Sequence, residues 1–292
     1  MTETITKLKK VYRKYKQTFL AFFVLTLLFI LGGFLFELGF FKKEVKVSRQ
    51  VLKIEKEYEF NGRRPTGLEF LDGNILVVLP SEKRIYVMDH SGEMINSFTV
   101  NLPGIWDVAW DGKYLWVADL LKDDIWKMNI TTGMKLKSIT GKWVLPYGLS
   151  WGDNALWISD PELGKIMKVN SSNGEILREV DSMGVLGLVY HDRELWVSPE
   201  AGDYIRVLNA TTFTEIRKYY SPGPLPSGLA FDTNEKLYIG DVGYNKIYRV
   251  DPFASQYRYE SSDAPPWLFF LYVFLLLALI LSFLSQYRSQ NY

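Results

Sequence analysis

Residues 107–119 read DVAWDGKYLWVAD, and residues 148–160 read GLSWGDNALWISD. Both stretches place aromatic and aliphatic residues at alternate positions on either side of a polar turn, which is Asp111-Gly112 in the first stretch. β-Branched and aromatic residues at a period of two predict short strands, and the polar turns separate one strand from the next. Because the two stretches align position by position, they predict a strand–turn–strand unit that is repeated.

Five copies of this unit follow one another, and we number them repeat units 1 to 5. Each begins with a Gly-Leu-x-aromatic pattern or a close variant of it, at Gly67, Asp107, Gly148, Gly187 and Gly228. Three more positions recur at a nearly constant distance from these starts, and we call each set of equivalent residues a column. The columns are Leu76, Trp116, Trp157, Trp196 and Tyr238; Ile85, Ile125, Ile166, Ile205 and Ile247; and Asp89, Asn129, Asn170, Asn209 and Asp251. A unit of about 40 residues with three or four short strands is typical of a β-propeller blade. We therefore predict an all-β fold, a β-propeller of five blades or alternatively six, over residues 63–260.

The segment before unit 1 predicts how the propeller closes. Residues 54–60 (IEKEYEF) stand before unit 1 as residues 215–220 (EIRKYY) stand before unit 5. An open sheet edge leaves backbone groups unpaired, so a propeller closes by pairing its first and last strands. We expect residues 54–60 to be the outermost strand of the last blade. Terminal closure then brings both ends of the domain together, with residues 42–62 as linker and closing strand and residues 261–266 as a second linker.

Two apolar runs flank the repeats. Residues 18–41 contain 24 residues with one charge, Glu37, and residues 267–284 contain 18 residues with none. A transmembrane helix needs about 20 apolar residues, so both runs predict helices that hold the protein in a lipid bilayer. A signal peptide is the competing interpretation of the first run, because basic residues precede it. The run is long, however, and no small-residue cleavage site follows it, which favours a retained anchor.

The basic residues alone leave the orientation of these helices open, since residues 1–17 and residues 42–56 each carry six Lys or Arg. Long domains cross a membrane largely regardless of charge, whereas a short basic tail resists export. We therefore expect a two-pass protein of the cell membrane with its propeller outside the cytoplasm. The two tails, residues 1–17 and residues 285–292, are then both cytoplasmic.

Glu37 bears on how the two predicted helices pack. A carboxyl group inside a span is costly and normally faces protein or water. Glu37 and Tyr272 stand at comparable depths in the two runs, four and five residues from their outer ends. One hypothesis is that the Glu37 carboxyl bonds to the Tyr272 hydroxyl and fixes the helices as a pair. The alternative is that Glu37 extends to the outer headgroups.

The composition excludes several classes of function. The chain has 34 Lys and Arg against 33 Asp and Glu, a net charge of +1, which argues against a nucleic-acid partner. It has no Cys, which excludes disulfides, thiolate metal sites and cysteine nucleophiles. Its two histidines, His90 and His191, fall in predicted turns between strands. This position argues against a histidine acid–base pair or a His-rich metal site in the central funnel of the propeller.

The repeated pattern P-x-G-L-x-W-x-x-x-x-L-W-V-A-D, followed by K-I-x-x-V-D/N-x-x-x-G, resembles a known group of proteins. It is similar to the NHL, YncE and streptogramin-lyase-like β-propellers, and more loosely to gluconolactonase (SMP-30-like) propellers. The resemblance extends from Pro65 to about residue 260 and implies a fold more than an activity. These families commonly have six or seven blades. Streptogramin-lyase-like enzymes depend on histidines that this chain does not place in the funnel.

Acidic side chains are the remaining candidates for chemistry. Those in the first predicted strand are Glu69 and Asp107, and those at the end of the second are Asp119, Asp160 and Asp241. In the resembling families the second strand ends at the mouth of the channel, and gluconolactonase-like propellers hold calcium there, so the resemblance implies a calcium site at the last three acids. Ca²⁺ takes six to eight oxygen ligands. The structural alternative is that each Asp bonds to backbone amides of a nearby turn.

One column also carries a modification motif. Three consecutive units hold an N-x-S/T sequon in the same turn, at Asn129, Asn170 and Asn209. If the domain is exported where asparagine is glycosylated, we expect glycans along one rim. Turn chemistry alone is the alternative explanation, because the same column is Asp in the other two units.

The leading function is a non-enzymatic binding or scaffold module that presents its exposed face to a protein or glycan partner. A related role is an accessory subunit of a larger membrane complex, which the paired helices favour. The enzymatic alternative is a calcium-dependent, lactonase-like or lyase-like enzyme that uses the five acids around the funnel.

Overall fold

The computed structural model describes residues 45–262, with side chains for residues 50–254, and residues 4–7, 9 and 16 near the amino terminus. The predicted helices at residues 18–41 and 267–284, with Glu37 and Tyr272, lie outside the described residues. Within the described part of the chain, no helix has both the length and the apolar character that a membrane span requires. The chain divides into two compact bodies, and the one formed by residues 49–258 contains the repeats.

Every repeat unit forms antiparallel strands where the period of two predicted them. In unit 1 these are β2 (Leu68–Leu71), β3 (Asn74–Leu79), β4 (Arg84–Met88) and β5 (Met94–Thr99), with a short 3-10 helix at Pro80–Glu82. Unit 2 holds β6 (Ile105–Trp110), β7 (Leu115–Asp119), β8 (Asp124–Met128) and β9 (Lys135–Ile139). Unit 3 holds β10 (Gly148–Gly152), β11 (Ala155–Asp160), β12 (Lys165–Val169) and β13 (Ile176–Asp181). Each set pairs in sequence order as a four-stranded sheet.

Units 4 and 5 share one eight-stranded sheet with the segment that precedes the repeats. Unit 4 holds β14 (Val185–His191), β15 (Glu194–Pro199), β16 (Tyr204–Asn209) and β17 (Glu215–Tyr220). Unit 5 holds β18 (Pro226–Phe231), β19 (Leu237–Asp241) and β20 (Lys246–Ser262), and the segment before unit 1 is β1 (Val45–Glu59). The strand order is β14-β15-β16-β17-β1-β20-β19-β18. β1 therefore lies beside β20, where the repeat register places residues 54–60, and it starts nine residues earlier than that segment.

Ion pairs hold β1 against unit 5. Three glutamates at alternate positions of β1 face basic residues of unit 5. The pairs are Glu55 with Lys236 (3.3 Å) and Arg249 (2.5 Å), Glu57 with Lys246 (3.0 Å), and Glu59 with Lys246 (2.7 Å). At the end of β1, the Phe60 amide donates to Asn245 O at 2.9 Å. The alternation of acidic residues in IEKEYEF thus places one charged face of the strand against its neighbour.

The first strands of the units lie next to one another in a closed circuit. β2 contacts β6, β6 contacts β10, β10 contacts β14, β14 contacts β18, and β18 contacts β2. The glycine that begins most units allows this approach. A Cβ on Gly67 would lie 2.5 Å from Asp107 Cα, and one on Gly228 would lie 2.5 Å from Thr66 O. No side chain fits between backbones at this spacing, so glycine at these positions follows from packing.

Among the described residues, the buried apolar side chains form five clusters, each between two neighbouring units. The largest buried side chains come from the column that begins with Leu76. They are Trp116, Trp157, Trp196 and Tyr238, which are fully buried. Trp157 stacks on Tyr190 of the next unit, with ring centroids 5.7 Å apart. Burial of one such indole contributes roughly 4–6 kcal/mol of transfer free energy. The units are therefore held together mainly by apolar packing across their boundaries.

Candidate binding face at the start of the first strands

Hydroxyl groups link the starts of neighbouring first strands. Thr66 Oγ1 of unit 1 donates to Trp106 O at 2.6 Å, and Ser198 Oγ of unit 4 donates to Ser227 O at 2.8 Å. Ser227 Oγ of unit 5 in turn donates to Pro65 O (3.1 Å) and Thr66 O (3.0 Å). Equivalent positions of successive units are thus side by side, so the loops before all five first strands lie at the same end of the repeat region.

Glu69 of unit 1 and Asp107 of unit 2 also link neighbouring units by hydrogen bonds. Glu69 Oε1 accepts from its neighbour Phe70 N at 2.9 Å, and Oε2 accepts from Trp110 N of unit 2 at 2.8 Å. Asp107 Oδ1 accepts from Val108 N at 2.9 Å, and Oδ2 accepts from Leu149 N of unit 3 at 2.8 Å. Each carboxylate therefore joins two units through backbone amides. These are the two acids that interrupt columns of small or apolar residues in the sequence.

Enclosure by protein changes the acidity of both groups. Burial raises the pKa of Glu69 to about 7, and the two backbone hydrogen bonds offset this only in part. Burial also raises the pKa of Asp107 well above its usual range, and the nearby charge of Glu69 raises it further. Asp107 is shielded from solvent, whereas Glu69 keeps partial solvent access. Within residues 50–254, no three His, Asp or Glu side chains come together as a metal site.

The acids at the end of the second strands bind loop amides. Asp160 Oδ2 accepts from Val144 N (2.7 Å) and Leu145 N (3.0 Å) of the loop before β10, and Oδ1 accepts from Leu163 N (2.9 Å) of the turn after β11. In unit 5 the corresponding bonds to Asp241 come from Leu225 N (2.8 Å) and Tyr244 N (2.6 Å). In unit 2 those to Asp119 come from Gly104 N (3.0 Å) and Leu121 N (3.2 Å). Each acid thus fastens the loop that leads into a unit to the turn after its second strand.

Asp119 differs from Asp160 in the hydrogen bonding of one carboxylate oxygen. Asp119 Oδ2 is buried and has no hydrogen-bond partner among the described residues. Both amide donors to Asp119, Gly104 N and Leu121 N, go to Oδ1, whereas the donors Val144 N and Leu163 N are divided between the two oxygens of Asp160. Burial raises the pKa of the Asp119 carboxyl.

The loops that these acids hold expose apolar side chains. Leu121, Met183 and Tyr244 are 68%, 87% and 58% exposed. Met183 precedes β14 and packs beside Gly164, next to Leu163. We call this set the apolar collar, and its members are Leu121, Val144, Leu163, Met183, Leu225 and Tyr244. Sequence reasoning missed it, although the signal was present as single apolar residues placed beside each strand-end acid or in the loop before a first strand.

Three more partly exposed side chains occupy the position just before the start of units 2, 3 and 4. Trp106 and Tyr147 are in contact, with ring centroids 4.6 Å apart and an interplanar angle of 59°. Leu186 occupies the equivalent position in unit 4, and all three are partly exposed. Burial raises the pKa of Tyr147 to about 12, so its hydroxyl is neutral and can donate a hydrogen bond at physiological pH.

The sequon column performs turn chemistry in every unit. The side-chain oxygen accepts from the backbone N–H two residues later in all five cases, at Asp89 (2.8 Å), Asn129 (2.9 Å), Asn170 (2.9 Å), Asn209 (2.8 Å) and Asp251 (3.0 Å). The Asp units make the same bond as the Asn units, so the turn accounts for this column without a glycan. Glycosylation of the three asparagines stays a prediction.

Neither histidine belongs to the collar. His90 follows β4, and its Nδ1 lies 3.1 Å from the Tyr238 hydroxyl. His191 ends β14, stacks on Phe231 with centroids 3.9 Å apart, and lies 2.6 Å from Glu235 Oε2. Both are at the far ends of their strands from the collar, so they are not positioned to act there.

Comparisons with known proteins identify solved structures of similar fold. No protein-family model and no curated sequence matches this chain. The crystal structure of the glutaminyl cyclase of Myxococcus xanthus superimposes with a TM-score of 0.60, covering 73% of this chain and 99% of that one at 11% identity. A streptogramin B lyase superimposes with a TM-score of 0.46, covering 72% of this chain and 73% of that one at 19% identity. The virginiamycin B lyase of Staphylococcus aureus gives 0.45, covering 75% of each chain at 16% identity.

Proposed function

We propose that the repeat region, which has a β-propeller fold, is a non-enzymatic binding module that docks a protein partner on its apolar collar. We also propose that it has five blades. The closed circuit of first strands and the five inter-unit clusters support that number. Blade five is then β18, β19, β20 and β1, with its outermost strand taken from the start of the domain.

One observation carries the binding function: buried acids hold in place loops whose apolar side chains face solvent. Both carboxylate oxygens of Asp160 and of Asp241 accept hydrogen bonds from backbone amides of two loops. An exposed apolar set on fixed loops is typical of an interaction site. Met, Tyr, Trp and Arg are the residues enriched in protein interfaces, and Met183, Tyr244 and Trp106 fit that composition. A sugar has little apolar surface to cover the aliphatic members of the collar, so a protein fits the collar better than a glycan.

The same hydrogen bonds weaken the case for a calcium-dependent lactonase-like or lyase-like site. Such a site needs carboxylate oxygens that converge on one point. Glu69 and Asp107 accept instead from amides of the next unit. Asp160 and Asp241 accept from amides of the loops around their own strands. Asp119 alone keeps a free oxygen, and it is fully buried. The arrangement therefore suits support of loops better than metal coordination.

We further propose that the propeller is held at the cell membrane, outside the cytoplasm, as an accessory subunit of a membrane complex. The apolar runs at residues 18–41 and 267–284 support this role, because each has a length suited to a bilayer. Attachment through these two runs keeps the module at the membrane.

The test compares two triple variants of the full chain. The first replaces Leu121, Met183 and Leu225 of the collar by Ser. The control replaces Ile95, Leu136 and Leu177 by Ser; these are exposed aliphatic residues of comparable exposure (52%, 41% and 52%) on the outer strands β5, β9 and β13. After purification in mild detergent from native membranes, we expect the wild type and the control to retain the same partner protein and the collar variant to lose it. Equal retention by both variants, at unchanged melting temperature, would contradict the proposal.

A further inference from the structure

The charges around the collar are unevenly distributed. Unit 1 contributes Arg63, Arg64 and Lys83 in its two loops at this end, and its Glu82 is paired with Arg63 at 3.8 Å. Unit 4 contributes Glu200 and Asp203 in the turn after β15, with no basic residue there or at positions 182–184. The collar therefore has a basic side at unit 1 and an acidic side at unit 4.

Arg64 and Glu200 are the members of these sides that lie within electrostatic reach of Tyr147. Both side chains are exposed, and neither forms an ion pair among residues 50–254. Both act electrostatically on the Tyr147 hydroxyl, with opposite sign. Glu200 is fixed against the loop before β14, because its amide donates to Gly184 O at 2.6 Å. Two charges of opposite sign, without ion-pair partners among the described residues, thus lie near Tyr147 of the aromatic pair.

The surface between the two charges is apolar. Passing round the ring from unit 1 to unit 4, the residues just before each start are Trp106, Tyr147 and Leu186, all partly exposed. In units 1 and 5 the same position holds Thr66 and Ser227, which are buried and donate to backbone carbonyls. The available contact area therefore lies on the side of units 2 to 4.

We infer that the collar binds an amphipathic protein segment with a carboxylate at one end, apolar side chains in its middle and a cationic group at its other end. The carboxylate pairs with the Arg64 guanidinium, the apolar side chains cover Trp106, Tyr147 and Leu186, and the cation pairs with Glu200. Guanidinium and carboxylate form two parallel hydrogen bonds, which fixes direction as well as position. Charges of opposite sign at the two ends also exclude a segment bound in the reverse orientation. This inference rests on the proposed binding function and adds the chemistry and polarity of the partner.

The probe is a phage-displayed library of random heptapeptides, selected on the detergent-solubilised full chain. Seven extended residues span about 23 Å, which is enough for an apolar centre between two charged ends. We expect enriched sequences to carry an acid and a base separated by several apolar residues. One enriched peptide and its charge-exchanged counterpart, with acid and base swapped, are then synthesised and their Kd values measured by fluorescence anisotropy.

Charge reversal supplies the decisive measurements. We expect Arg64→Glu and Glu200→Lys each to weaken the selected peptide about tenfold or more, and the double variant to bind the charge-exchanged peptide with nearly wild-type affinity. Lys113→Glu is the matched control, since Lys113 is an exposed base in the turn after β6, at the other end of the strands. It should change the Kd less than twofold.

The outcomes separate this inference from the proposed function. Peptides that are lost on the collar triple variant but bind both charge variants normally would overturn the inference and leave the binding function in place. Failure to enrich any peptide that depends on the collar would overturn the inference as well, and the co-purification result then decides the binding function by itself. Rescue of the charge-exchanged peptide by the double variant is the result that a purely structural role of Arg64 and Glu200 would not produce.

Discussion

Replacing Glu69 by Gln should make the propeller less sensitive to alkaline pH. The Glu69 carboxyl is enclosed between units 1 and 2, where it accepts hydrogen bonds from two backbone amides and has no cation beside it. Gln keeps the size and one acceptor oxygen of the side chain but cannot ionise. The substitution therefore isolates the cost of the charge from the cost of losing the packing.

The magnitude follows from the pKa. Burial raises it from 4.5 to about 7, and each unit corresponds to about 1.36 kcal/mol, so ionisation costs the folded state about 3 kcal/mol relative to the unfolded chain. Partial solvent access lowers this expectation to about 2 kcal/mol. Because the folded pKa lies above the unfolded one, the favourable contribution is complete below pH 4.5 and is lost as pH rises through 7.

The assay is the melting temperature of wild type and Glu69→Gln at pH 5 and at pH 8, followed by tryptophan fluorescence. For a body of this size, 2 kcal/mol corresponds to about 4–8 °C. We expect the variant to gain at least that much relative to wild type between pH 5 and pH 8, because removing the Glu69 charge also removes its unfavourable effect on Asp107. Titrating groups remote from Glu69 affect both proteins equally. Glu162→Gln, at an exposed position, is the control. A difference between wild type and Glu69→Gln that is the same at both pH values would refute the reasoning.

Four further outcomes are expected. Gly228→Ala should prevent folding or lower the melting temperature by more than about 10 °C, because the new Cβ would lie 2.5 Å from Thr66 O; a fall of a few degrees would contradict the packing described. Glu55→Gln should cost about 1 kcal/mol at low salt and less at high salt, as its ion pairs with unit 5 are partly buried; chemical denaturation at two salt concentrations measures this, and equal costs would argue against the ion pairs. Asp160→Asn should speed hydrogen exchange of the three loop amides it accepts from, at a cost of about 1–3 kcal/mol, and unchanged exchange would show that the carboxylate does not hold these loops. Millimolar Ca²⁺ should leave the melting temperature unchanged, whereas a rise would favour the calcium-dependent alternative.

The strand pattern was predictable from the sequence, and so was the bonding of the strand-end acids to amides of a nearby turn; the partners of Glu69 and Asp107 in neighbouring units were not. Columns in register determine strand order within a unit, and the position of residues 54–60 before unit 1 already indicated a strand of the last blade. Glu69 and Asp107 were noticed as exceptions in columns of small residues. What they bind depends on how closely the next unit approaches, which is set by the ring as a whole and is not encoded in local periodicity.

The collar was missed for a related reason. A single Leu121 or Met183 in a turn has the same pattern as a core residue, and only the path of the loop decides whether it faces solvent. The strand-end acids carry the clue, because Asp160 needs amide donors and the loop that supplies them must turn back over the strand end. The way in which the amide donors are shared between the two carboxylate oxygens also differs from unit to unit, as Asp119 and Asp160 illustrate.

The placement of β1 has a consequence for biosynthesis. β1 emerges from the ribosome first among the strands, yet its neighbour β20 begins at Lys246, about 190 residues later. At about 5–20 residues per second, this strand waits some 10–40 s for its β20 partner. The nascent chain must keep that segment from pairing with other polypeptides until translation nears its end.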